Sequence, residues 1–144
     1  MNQSDGQTGL ASLTSCKLVV SDIERSEAFY RAVCGFGPGK TMHFALAGRP
    51  FTEIVFRQEG KHEALMLMAY DDGAAPASGA AVLTFSTDDI DALAQRVLAG
   101  GGFQLAQARP LRLGTWHALI AEFADPDGNL LQVLQTIEPE SQKT

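Results

Sequence analysis

The sequence lacks a surplus of positive charge. Lys and Arg number 11 against 17 Asp and Glu, giving a net charge of −6 and a pI of about 4.9. Without a basic stripe there is little to neutralise phosphates, so nucleic acid is not an expected partner. Long apolar runs are missing as well. None approaches the ~20 residues that a membrane-spanning helix needs, so no membrane partner is expected. Cysteine is scarce. Cys16 and Cys34 form no Cys-x-x-Cys pair and lie within apolar patterns, where a free thiol packs as a small hydrophobe. The opening nine residues are polar, with no apolar core of the kind a secretion signal carries. Reduced, structural thiols and a cytoplasmic location are therefore expected.

What is present is globular. Hydrophobic residues make up 45% of the 144 and charged residues 19%, enough for one ordinary domain with a core. That domain is expected over residues 10–137, with residues 1–9 and 138–144 as flexible tails.

The chain carries a repeat. Asp22-Ile23-Glu24 recurs as Asp89-Ile90-Asp91 and Gly35-Phe36 as Gly102-Phe103, both 67 positions later. The surroundings of the two copies agree. Leu13 to Val20 and Ala80 to Ser86 read as strands. Ser21 caps a first helix in a capping-box pattern with Glu24, and Thr87 or Asp88 caps a second. Apolar residues at 23, 28, 29, 32 and 33, and at 90, 93, 94, 97 and 98, give each helix one greasy stripe. Glycines at 35, 37 and 39, and at 100 to 102, stop them. Strands follow at about 41–48, 51–58 and 63–70, then at about 103–108, 116–124 and 129–136. Gly48-Arg49-Pro50, Glu59-Gly60-Lys61 and Asp125-Pro126-Asp127-Gly128 read as turns. The fold class is α+β: two tandem βαβββ modules, at about 13–70 and 80–136, joined by a linker at 71–79. One helix covers one face of each sheet. The other faces should curve into a trough, where a ligand is sought.

Val19-Val20-Ser21-Asp22-Ile23-Glu24-Arg25-Ser26-Glu27-Ala28-Phe29-Tyr30 resembles the first-helix signature of the vicinal oxygen chelate superfamily, which includes glyoxalases, bleomycin-resistance proteins and extradiol dioxygenases. Thr87-Asp88-Asp89-Ile90-Asp91 resembles its second helix start, and Asp125-Pro126-Asp127-Gly128-Asn129-Leu130-Leu131 its last hairpin. The resemblance implies the paired-module fold and commonly a homodimer. It says little about chemistry, because the fold hosts several activities. In the metal enzymes it implies ligands, usually His, Gln or Glu, at four positions that correspond here to Ser15, a residue near Leu67, Val82 and Gln132. Two weak oxygens and two hydrocarbons are not the donors a divalent ion requires. No metal and no cofactor are therefore expected. The three histidines, His43, His62 and His117, have no ligand-like spacing and read as rim or surface residues.

Strand alternation, anchored on these positions, assigns trough-facing residues. They are Ser15, Lys17 and Val19; Val82, Thr84 and Ser86; Leu130, Gln132 and Leu134; and Trp116, Ala118, Ile120 and Glu122. Cys16, Leu18 and Val20 should pack under the helix. Ser15, Thr84, Trp116, Ile120 and Gln132 are the expected ligand-binding residues. Glu122 and Lys17 are the two trough groups able to do acid–base work, unless they merely pair. Trp116 reads equally as a packing anchor or as a surface for a flat ligand. Met42, Met66 and Met68 read as adaptable core or lining.

Three functions fit. One is a metal-independent binder of a small organic molecule, with the acidic surface favouring a cationic one. Another is a metal-free isomerase or lyase with Glu122 as base and Lys17 stabilising an enolate-like charge. The third is a metal-dependent lyase or dioxygenase of the family.

Overall fold

The structure, a computed structural model, describes residues 9–10, 16–57, 65–74 and 81–137. Its first module contains β1 (Lys17–Val19), α1 (Ile23–Cys34), β2 (Lys40–Leu46), β3 (Arg49–Val55) and β4 (Met66–Tyr70). The second contains β5 (Val82–Ser86), α2 (Ile90–Ala99), β6 (Phe103–Leu113), β7 (Trp116–Ala124) and β8 (Leu130–Ile137). Each module folds its strands into one sheet, ordered β1-β4-β3-β2 and β5-β8-β7-β6. The helix-bearing strand lies parallel to the last strand of its module, and the remaining pairs are antiparallel. The expected α+β pair of βαβββ modules is the architecture found.

Both helices start on the same device, one residue or more later than expected. Asp22, not Ser21, caps α1, its carboxylate accepting from Arg25 N at 3.1 Å. Asp89, not Thr87 or Asp88, caps α2, accepting from Ala92 N at 3.0 Å. A carboxylate outbids a hydroxyl here because it both satisfies an orphan N–H and meets the positive end of the helix. Ser21 and Thr87 take other work. The Ser21 hydroxyl donates to Asp127 Oδ1, and Thr87 Oγ1 accepts from Asp89 N at 3.2 Å.

One hairpin turn also sits differently. The β2–β3 turn is Ala47-Gly48, so Arg49 and Pro50 belong to β3. Pro50 is tolerated near the beginning of that strand, where a missing N–H costs least. Strand β6 runs on to Leu113, past the expected end near 108. It accommodates register shifts between Gln104 and Ala106 and between Ala106 and Arg109.

One continuous core lies between the helices and their sheets. Phe29 and Tyr30 of α1 pack with Leu18, Val20, Ile54, Phe56 and Leu67. Ile90, Leu93, Ala94 and Val97 of α2 pack with Ala121, Phe123, Leu131 and Val133. Each such large side chain contributes about 1.5–3 kcal/mol by leaving water. Cys34 packs against this cluster, whereas Cys16 is exposed rather than tucked under the helix. The modules meet through α1 and the β7–β8 turn. The Tyr30 hydroxyl donates to Asp125 Oδ2 at 2.8 Å, and Asp125 also accepts from Asp127 N, Asn129 N and Asn129 Nδ2. Asp125 is fully buried, and these donors repay its desolvation. At the neighbouring contact, Gly102 is required by space: a Cβ there would stand 2.6 Å from Ala124 O and 2.7 Å from Val97 Cγ1.

The candidate ligand trough

The core takes one face of each sheet, so alternation gives the composition of the other. On the first sheet the registers set three rows across β2, β3 and β4. They are Phe44–Phe51–Tyr70, Met42–Glu53–Met68 and Lys40–Val55–Met66. Glu53 is therefore the centre of a small grid of aromatic, thioether and aliphatic side chains. Lys17 and Val19 of β1 flank Met66 and Met68 on the same side.

Lys17 extends across β4 to Glu53, with Nζ 2.6 Å from Oε1, and its ammonium lies 5.2 Å from the Phe51 ring centre. The two partners differ sharply in exposure, the lysine side chain 39% and the glutamate 5%. Despite the short distance the ammonium stands off the hydrogen-bonding direction, and among the described residues no donor hydrogen-bonds to Glu53 Oε1. At the far end of the grid the Arg49 guanidinium stacks 3.6 Å from the Tyr70 ring centre and forks onto Asp72 at 2.9 and 3.1 Å. That fork holds the Asp72 carboxyl below its ordinary range and raises Arg49.

The second sheet presents Leu111–Ala118–Thr136, Arg109–Ile120–Leu134 and Ala106–Glu122–Gln132. Thr84 of β5 lies beside Gln132 and donates to its Oε1 at 3.3 Å. Glu122 accepts two bonds from Arg109, at 2.7 and 2.9 Å, and this partner raises the Arg109 pKa. Thr84, Gln132, Glu122 and Arg109 thus run as a polar row across an otherwise apolar sheet.

The expected site residues are therefore split. Thr84, Gln132, Glu122 and Ile120 share the second sheet's outer face, with half-buried Trp116 at the start of β7. Lys17 is on the first sheet, and Ser15 lies outside the described residues. Lys17 and Glu122 do not pair with each other; each has its own partner. Sequence reasoning missed Glu53, Phe51 and Arg109. A signal for two of them existed, since Phe51-Thr52-Glu53-Ile54-Val55 places a lone carboxylate and an aromatic at strand alternation on one face. Arg109 gave none, because the bulges of β6 break the alternation before it.

At the metal-ligand positions the resemblance implies, the donors do not fit an ion. Leu67 is fully buried on the helix side, so the position falls to a neighbour on β4, Met66 or Met68, both of which face the other side. Val82 is aliphatic and 56% exposed, and the Gln132 oxygen accepts from Thr84. A thioether, a hydrocarbon and one amide supply no carboxylate or imidazole. Among the described residues no three His, Cys, Asp or Glu gather closely enough to hold a metal ion. His43 is exposed on β2, with Nδ1 3.2 Å from Thr52 Oγ1; His117 is on β7; His62 lies outside the described residues.

Comparison with known proteins places this geometry. The chain matches the model of the Glyoxalase/Bleomycin resistance protein/Dioxygenase superfamily over residues 12–133. No curated protein sequence matches it. Among solved structures it is similar to a glyoxalase family protein from Bacillus cereus, at 12% identity over 94% of this chain and 100% of that one, with a TM-score of 0.75. It is also similar to a glyoxalase/bleomycin resistance protein from Albidiferax ferrireducens, at 24% identity over 85% of this chain and 98% of that one, TM-score 0.62. A glyoxalase I variant from Zea mays shares 27% identity over 84% of this chain and 44% of its own, TM-score 0.60. With its family model covering both modules, the chain belongs to the glyoxalase/bleomycin resistance/dioxygenase superfamily.

Proposed function

We propose that this protein is a metal-independent member of its superfamily that binds a small organic molecule in the trough between its two sheets. The observation that carries the reading is the side-chain chemistry at the positions the family resemblance implies, Met66 or Met68 (beside Leu67), Val82 and Gln132. These side chains suit an organic surface, with thioether and aliphatic walls and a few polar groups to orient a guest. Thr84, Gln132, Trp116 and Ile120 line the second-sheet side, and Phe44, Phe51 and Tyr70 the first.

In the enzymatic alternative Glu122 is a general base. That role asks for a carboxylate with a free lone pair facing substrate. Arg109 occupies both Glu122 oxygens in a fork, so the carboxylate is already engaged on both sides where a substrate proton would have to be accepted. A base here would need Arg109 to swing away when substrate binds. Binding therefore fits the geometry better than catalysis through Glu122.

The test is a titration with Nile red, an uncharged dye that fluoresces in apolar surroundings, before and after exhaustive chelation with EDTA. Saturable one-to-one binding with the same Kd in both states is expected. Binding that collapses on chelation and returns with a divalent ion would contradict the proposal.

A further inference from the structure

The Lys17–Glu53 contact has an asymmetry that bears on the ligand's charge. Glu53 is fixed on a central strand, more than nine-tenths buried, and its Oε1 has no hydrogen-bond donor among the described residues. Lys17 is half-exposed, on a flexible four-carbon stem, and meets that oxygen at close range but off the bonding direction. In such a pair the carboxylate cannot leave, while the ammonium can. The surroundings of the carboxylate suit a soft cation: Phe51 presents its ring to the ammonium, and Met42 and Met68 flank it in the same row. An anionic guest would instead need Glu53 to vacate the centre of the grid, which its place on β3 forbids.

We infer that the first-sheet half of the trough is a site for an organic ammonium ion, with Glu53 as its counter-ion, and that Lys17 is a built-in occupant which the guest displaces. This rests on the trough-binding reading above and adds the charge class of the guest to it. The aliphatic or aromatic part of the guest would lie against Phe51, Met42 and Met68, and its cationic centre would take the place now held by Lys17 Nζ. Displacement frees the lysine to move out into water, so its loss costs little there. The second sheet holds no counterpart, because Arg109 satisfies Glu122 through both oxygens.

The methionines make the test local. The chain has four, and three of them, Met42, Met66 and Met68, lie on this grid, the other being Met1. Carbon-13 labelling of the methionine methyl groups therefore reads the site directly by NMR. The full chain is titrated with benzyltrimethylammonium and, separately, with its neutral isostere neopentylbenzene. The cation is expected to shift the Met42 and Met68 signals saturably, with the isostere at least about tenfold weaker. Glu53→Gln should erase that preference. Lys17→Met should strengthen the cation about tenfold or more, and benzyltrimethylammonium should raise its Tm more than that of the unaltered protein, since the guest then supplies the missing partner of a buried carboxylate. This second variant keeps the test open if Glu53→Gln fails to fold.

Equal binding of both probes, unchanged by Lys17→Met, would overturn the ammonium assignment while leaving an apolar binding trough intact. Silence of all three methionine signals to both probes would overturn the ammonium assignment, and the Nile red titration then decides the trough-binding reading separately.

Discussion

Sixty-seven positions separate Glu53 from Ile120, and the two residues hold the same place at the centres of their sheets. In the first module the centre is a buried carboxylate ringed by Phe51, Met42 and Met68. In the second it is an isoleucine, and the carboxylate has moved one step along the strand to Glu122, opposite the valine position of the first. The cations differ as well. Lys17 comes from β1 and meets its partner through one short contact off the hydrogen-bonding direction, whereas Arg109 comes from β6 and grips its partner with two bonds. The frames beneath are alike: both helices begin on Asp, at 22 and 89, and both sheets share one strand order. The repeat thus keeps what builds the sheet and lets the outer face diverge, as expected when only one face packs the core.

The largest expected effect comes from breaking what joins the modules. Asp125→Ala strands the Tyr30 hydroxyl and the Asn129 amide in the core, and should cost about 3–5 kcal/mol in urea unfolding. The gentler Tyr30→Phe should cost about 1–3 kcal/mol, because it removes one donor from a buried acceptor. If Tyr30→Phe is silent while Asp125→Ala is not, the turn is stabilised by the Asp127 and Asn129 donors to Asp125 and the modules are coupled by packing.

Alkaline pH should loosen the α1 side. Burial pushes the Cys34 thiol up to about 12 from an ordinary value of 9.0, and burial with the nearby Asp125 carboxylate raises Tyr30 as well. A raised acid of this kind favours folding fully below its unfolded value and loses that contribution as pH climbs toward the folded one. Stability measured by urea midpoint should therefore hold up to about pH 9 and fall above it. Cys34→Ala should lessen that fall. An unchanged fall in this variant would assign the effect to Tyr30.

The smallest effects test the paired hairpin turns. Ala47-Gly48 and Gly114-Thr115 are equivalent turns with the glycine moved by one place. Ala47 has φ +51 beside Gly48 at +79, a two-residue turn that demands positive φ twice, while the second turn has positive φ only at Gly114, +61. Alanine pays for a left-handed backbone, so Ala47→Gly should stabilise by up to about 1 kcal/mol. Gly114→Ala should destabilise by about the same amount. Thermal melts of the two variants read both signs.

The repeat, the helix stripes and the Asp-Pro-Asp-Gly turn were legible because each depends on local rules, periodicity and turn chemistry, that the chain states within a dozen residues. The cap positions were not settled by those rules. Ser21-Asp22 and Thr87-Asp88-Asp89 each offer several good caps, and the choice depended on where Asp127 and the backbone of Asp89 drew the hydroxyls. For the trough, alternation placed Lys17, Thr84, Glu122 and Gln132 on outward faces. Their partners were out of reach. Glu53 meets Lys17 only because β4 slides between β1 and β3, and Arg109 meets Glu122 only after two irregularities in β6. Strand order and bulges are tertiary facts, and they decide which charges meet.

The central claim is that the trough takes an organic guest without a metal ion, and divalent-ion content tests it most directly. Purified protein equilibrated with excess zinc, nickel or manganese and then desalted should retain far less than one ion per chain. One tightly held ion per chain, released when Gln132→Ala is made, would contradict the account.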